Sequence, residues 1–98
     1  MTRQEILDLL RERQAELKQR GVVHVAIFGS RARGDGRPDS DTDLLIDFDA
    51  TAEISLFDYV AIKRYLANLI PGDVDVIDRA GLKKALQANV VREAVYAF

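Results

Sequence analysis

Ten residues separate Gly29-Ser30 from Asp41-Thr42-Asp43 in the stretch VAIFGSRARGDGRPDSDTDLLIDF. A glycine–serine turn that opens a helical turn offers backbone N–H groups and a hydroxyl to phosphate oxygens. The glycine lets backbone come close to a ligand. Two carboxylates separated by one residue at the start of a strand leave the same face, their Cα atoms roughly 6–7 Å apart. Mg²⁺ takes oxygen ligands, commonly one or two carboxylates plus substrate phosphates. Metal pairs in phosphoryl-transfer sites sit about 3.5–4 Å apart, so Asp41 and Asp43 can bracket one or both ions. Asp75, alone among apolar neighbours in Val74-Asp75-Val76-Ile77, supplies a third carboxylate if its strand lies beside that of Asp43. The combination points to nucleotide chemistry.

Each part has a plainer account when read alone. PDSDTD is turn-rich, and acids in turns are ordinarily solvated. A lone aspartate in a short strand also serves as a protective edge charge. Ser30 can be a helix N-cap and nothing more. Arg31 and Arg33 can offset the charge of a triphosphate, or be ordinary surface loop residues. The loop is not a Walker A motif, because Gly29 to Gly34 is not followed by Lys-Ser/Thr. Arg33-Gly34-Asp35 is treated as chance. His24, the single histidine, sits among valines and reads as a packing residue, which excludes a His-rich metal site.

The elements that must position these groups follow from caps and hydrophobic period. Thr2 with Glu5 is a capping box, opening a helix whose Ile6, Leu9, Leu10 and Leu17 share a face. Gly21 stops it as a left-handed C-cap. Val22 to Phe28 reads as a buried strand, and Gly29 to Ser40 as a polar loop containing Pro38 and one helical turn from Ser30 to Arg33. Thr42 to Phe48 is a second strand, with Leu44, Ile46 and Phe48 on one face and Asp43, Leu45 and Asp47 on the other. Ser55 with Asp58 caps a helix through about Leu69, carrying Leu56, Tyr59, Val60, Lys63, Leu66 and Ile70 near one stripe. Pro71-Gly72 ends it. Val74 to Ile77 forms a third strand, and a last helix from around Leu82 to Ala97 turns Leu86, Val90 and Ala94 inward, with Tyr96 and Phe98 at its end as core or patch residues. The expected fold is α/β (α+β): a small mixed sheet with helices packed mainly on one face and the aspartates emerging on the other.

The 98 residues suit one domain, spanning 1–98. With 48% hydrophobic and 31% charged residues, the composition is that of a globular protein, not a disordered one. A net charge of -2 argues against broad binding to nucleic acid or anionic membrane. Without cysteine there are no disulfides or thiolate metal sites, which fits a cytoplasmic setting. No segment has the apolar run of a signal peptide or a membrane span.

Gly29-Ser30, the ten intervening residues, Asp41-x-Asp43 and a later strand Asp75 resemble the signature of the nucleotidyltransferase superfamily with a polymerase-β-like core. GSRARG, PDSDTDLLIDF, SLFDYVAIKRYL, VDVID and the ending REAVYAF narrow the resemblance to the minimal nucleotidyltransferase (MNT, MntA-like) proteins, from about Val22 onward. That resemblance implies an antitoxin paired with a HEPN-domain RNase toxin, transferring AMP from ATP to a tyrosine of the toxin. It implies that Gly29 and Ser30 hold the phosphates, and that Asp41, Asp43 and Asp75 bind Mg²⁺. Asp75 would also help to deprotonate the acceptor. Asp73 competes for the third position, but it follows Pro-Gly in the turn whereas Asp75 lies inside the strand pattern. Larger nucleotidyltransferases grip their acceptor with an extra domain, so here a protein partner is expected to bring it. Two other readings stay open: an antitoxin that acts by binding alone, and nucleotidyl transfer to a small molecule.

Overall fold

A computed structural model of the chain describes residues 1–33 and 41–98. The expectations on Pro38 and on Gly34-Asp35 fall outside the described residues. Helix α1 (Arg3–Glu12) starts at the capping box: Glu5 N donates to Thr2 Oγ1 and Thr2 N to Glu5 Oε1. The expected single helix is interrupted at Arg13, where a tight turn (φ -97, ψ 7) separates α1 from α2 (Gln14–Gln19). Ile6, Leu7 and Leu10 of α1 and Leu17 of α2 are buried. Gly21 then turns the chain at φ +90, a left-handed conformation that costs glycine little.

Strands β1 (Val22–Phe28) and β2 (Thr42–Phe48) run antiparallel, and β3 (Val74–Asp78) joins β2 in parallel. The four-residue turn α3 (Ser30–Arg33) follows β1, and α4 (Leu56–Leu69) links β2 to β3. The last helix is shorter than expected: a 3₁₀ turn (Arg79–Gly81) precedes α5 (Lys84–Glu93), and Val95–Tyr96 forms a strand, β4. That strand pairs antiparallel with β1, Tyr96 opposite Ala26. Tyr96 therefore belongs to the sheet edge, because β1 offers open backbone groups that a helix end would leave unmet, and Phe98 beyond it packs against the core. The sheet order is β3-β2-β1-β4.

Val25, Ile27, Leu44, Ile46 and Val76 form the sheet's contribution to one core, closed by α1, α2 and α4. On α4 the inner row is Tyr59, Ile62, Leu66 and Ile70; the expected Leu56, Val60 and Lys63 face solvent. Helices thus lie mainly on one face. Strands β2 and β3 step toward one edge through α4, and β3 to β4 returns across the sheet through α5. Right-handed crossovers in opposite directions place α5 on the other face. There α5 buries none of its residues, and Leu86, expected inside, is 51% exposed. On that face of the sheet Ala26 and Leu45 are 0% and 2% exposed. The aspartate face is thereby divided into two open ends. Among the described residues no helix is long and apolar enough to cross a membrane.

Candidate active site

The turn after β1 and the first residues of β2 meet at one end of this face. Phe28 is the register partner of Asp43, so Gly29 lies directly over the Asp43 side chain. Gly29 has φ +75, and a Cβ built there would lie 2.6 Å from Asp43 Oδ2. Two independent constraints, backbone conformation and close approach, therefore select glycine at this position. Ser30 is the first residue of α3, whose turn closes with Arg33 N donating to Gly29 O at 3.2 Å. The role expected of the Ser30 hydroxyl falls outside what the structure describes.

Parallel pairing puts Asp75 of β3 in register with Asp43 of β2. Adjacent strands lie about 4.8 Å apart, and residues in register share a face. Asp41 is exposed, just ahead of β2. The electrostatics record this gathering. The Asp43 carboxyl is pushed above its ordinary value of 3.8, first by burial, then by the charge of Asp75, then by that of Asp41. Asp73 is exposed and joins the strand ends through its backbone, its carbonyl accepting from Thr42 N at 2.9 Å. Asp75, not Asp73, is the residue that acts on Asp43. Among the described residues no three carboxylates or imidazoles are already gathered closely enough to hold a metal ion.

The arginines have different surroundings. Arg31 is 5% exposed and donates through Nη1 to Met1 O at 2.6 Å. Arg33 is exposed, with Nη1 3.5 Å from Glu93 Oε2 of α5. Arg3 adds a bond from Nη1 to Ala32 O at 2.6 Å, so the start of the chain braces α3 from two sides. Sequence reasoning missed Arg3. It is separated from α3 by nearly a third of the chain, and no local pattern marks such a brace.

At the other open end, His24 faces Asp47 across β1 and β2. His24 is exposed, contrary to the packing role expected of it, because strand alternation puts it on the aspartate face. Its ring meets Tyr96 edge-on at 6.0 Å, and Asp47 Oδ1 accepts from Arg79 Nε at 2.9 Å.

Residues 6–97 match the family model of the nucleotidyltransferase domain. The chain is similar to the protein adenylyltransferase MntA of Thermococcus cleftensis, 36% identical over 97 residues, covering 98% of this chain and 96% of that one. It is also similar to a solved minimal nucleotidyltransferase, with a TM-score of 0.72, 36% identity, and coverage of 97% of this chain and 95% of that one. A third likeness is to a chain in the complex of tri-AMPylated Shewanella oneidensis HEPN toxin with MNT antitoxin. Its TM-score is 0.63 at 17% identity, covering 94% of this chain and 71% of that one, which is a likeness of fold.

Proposed function

The chain belongs to the nucleotidyltransferase domain family, and we propose that it is the antitoxin of a HEPN/MNT pair, a Mg²⁺-dependent protein adenylyltransferase that moves AMP from ATP to a tyrosine of a HEPN-domain toxin. The observation that carries this reading is the register of Asp43 with Asp75 beneath Gly29. The T. cleftensis relative is named a protein adenylyltransferase, and the S. oneidensis complex pairs an AMPylated HEPN toxin with an MNT antitoxin. A net charge of -2 suits a protein partner better than a long nucleic acid. A cytoplasmic setting goes with this reading.

The donor set fits Mg²⁺: the oxygens are hard, and Asp43 is crowded by two like charges that a divalent cation would relieve. Asp41, Asp43 and Asp75 would hold it, and the bound cation would offset charge on the phosphate oxygens and acidify the acceptor hydroxyl. Gly29 and Ser30 would seat the phosphates through the backbone of the turn, which the bonds from Arg3 and Arg31 to Ala32 and Met1 keep in place. Arg33, on the exposed side of α3, would meet the outer phosphates, and Arg31 would support them from beneath. The tyrosine oxygen attacks the α-phosphorus, the bond to the β-phosphate bridging oxygen breaks, and pyrophosphate leaves. Asp75, exposed at the strand edge, takes the acceptor's proton.

The test is to incubate the chain with its HEPN partner, ATP and Mg²⁺ and to weigh the partner intact. The partner gains the mass of one or more AMP groups with the native chain, and none with Asp43→Asn. Full neutralisation of the toxin by Asp43→Asn, without mass gain, would overturn the enzymatic reading in favour of binding alone. Steady ATP turnover onto a small molecule without any partner would redirect the acceptor.

A further inference from the structure

The most exposed large apolar side chains are in the first turn of α4. Leu56 is 74% and Phe57 86% exposed, with Val60 one turn on also open to solvent. They point away from Ile62 and Leu66, which seal the core. Beside them runs a groove of about 610 Å³ between the end of α2 and α4. Ile54, Ala61 and Ile62 give it an apolar floor; Lys18 and Arg20 stand on one wall, Glu53 and Asp58 on the other. Surface apolar residues scattered singly need no explanation, but a contiguous set beside a lined groove marks a contact.

We propose that this surface pairs with a second copy of the chain, α4 against α4 in antiparallel alignment, each copy's Phe57 entering the other's groove. A knob and a groove side by side on one surface are what a two-fold contact requires, since each copy then supplies both. Charge favours the same arrangement. Glu53 and Asp58 lie at the N-terminal end of α4, and Lys63 and Arg64 about two turns further on, all exposed. Antiparallel alignment sets the acidic start of each helix against the basic middle of the other. The toxin is a poorer occupant. Its acceptor hydroxyl must reach Asp43 and Asp75, which lie on the opposite face. They are also at the other end of β2, roughly 17 Å from Phe48 at about 3.4 Å per residue. One helix and one groove make a small interface, so the association is expected to be weak and reversible, not obligate.

Sedimentation equilibrium from low micromolar to near-millimolar chain, without toxin, tests the proposal. A reversible dimer is expected, and Phe57→Gln, at a solvent-facing helix position that leaves the circular dichroism unchanged, weakens it about tenfold or more. The chain lacks cysteine, so single-cysteine variants report cleanly. Val60→Cys joins into dimers with a short bis-maleimide, whereas Ala88→Cys on α5 does not. A monomer throughout the range, a dimer indifferent to Phe57→Gln, or equal cross-linking at both positions would overturn the proposal. So would Phe57→Gln sparing self-association while abolishing toxin binding, which would assign the patch to the toxin.

Discussion

Asp43 and Asp47 sit on the same strand and the same face, four residues apart, yet in opposite electrostatic settings. Asp47 is answered by its own chain, with Arg79 Nε 2.9 Å from Oδ1. Asp43 has Asp75 beside it in register and Gly29 pressed over it, and among the described residues no cation pairs with it. The mid-face residues Ala26 and Leu45, both buried, stand between the two ends. On the proposed function, the difference separates an acid used for structure from acids kept for a ligand. Near Asp47 the fold supplies an arginine; around Asp43 the described residues that act on its carboxyl are two further acids.

The largest expected effect comes from removing that unanswered charge. Asp43→Asn lowers adenylyl transfer by about 10³-fold or more, roughly 4 kcal/mol of transition-state stabilisation. It also removes the rise in melting temperature with added Mg²⁺, which in the native chain reflects a stabilisation of about 2.7 kcal/mol at a hundred-fold excess over Kd. Stability responds in the opposite sense. With the folded-state pKa of Asp43 raised above 3.8, the folded protein holds a proton that the unfolded chain has already lost. Stability therefore falls as pH rises from 3.8 through that raised value, and the penalty is fully present at neutral pH. In chelator-treated samples, the urea midpoint of the native chain should fall relative to that of Asp43→Asn across this window, a comparison that cancels Glu5, Asp49 and Asp58, whose lowered values act in the opposite sense in both proteins. A native-minus-variant difference that rises through the same window would contradict the crowding of Asp43 by its neighbours.

Two further substitutions sharpen the contrast by acting on the supports of each region. Ile46→Ala, on the core face of the same strand and fully buried, costs about 2–5 kcal/mol in urea unfolding. Its transfer rate per folded molecule stays near native, because the aspartate face keeps its own side chains. Gly29→Ala costs less in stability, about 1–2 kcal/mol, since alanine must take a left-handed φ. The new Cβ would stand 2.6 Å from Asp43 Oδ2, so Asp43 must move and the transfer rate falls far more than the lost stability explains. If Gly29→Ala kept native turnover, the close approach over Asp43 would have no part in the chemistry.

The site end was more legible in the sequence than the surfaces around it, and the reason is physical. Strands Val22–Phe28 and Thr42–Phe48 are short β-branched runs bounded by Gly and turn residues, signals that act locally. The capping boxes at Thr2 and Ser55 are equally local. The meeting of Asp43 with Asp75 needed one longer step, that a helical crossover brings a parallel strand alongside. Other features depended on tertiary context. Helix α4 carries apolar residues nearly all round, from Leu56 to Ile62, so periodicity alone did not single out Ile62 over Val60. Strand β4 is two residues long and exists because the edge of β1 is open to it. The break at Arg13 has no glycine or proline to announce it.

The smallest expected effect tests the other half of the comparison. The Asp47–Arg79 pair lies at a short 2.9 Å but its side chains are 18% and 44% exposed, so water and salt screen it. Exposed pairs of this kind contribute about 0.2–1 kcal/mol. Asp47→Asn, Arg79→Ala and the double variant, measured by urea unfolding at low salt, should give a coupling energy in that range that shrinks at high salt. All three should keep the Mg²⁺-dependent melting shift and the native transfer rate, because the buried Leu45 stands between this end and Asp43 on the strand. A loss of transfer in Asp47→Asn comparable to that in Asp43→Asn would mean that the face works as one acidic surface, and the division into a structural end and a ligand end would fail.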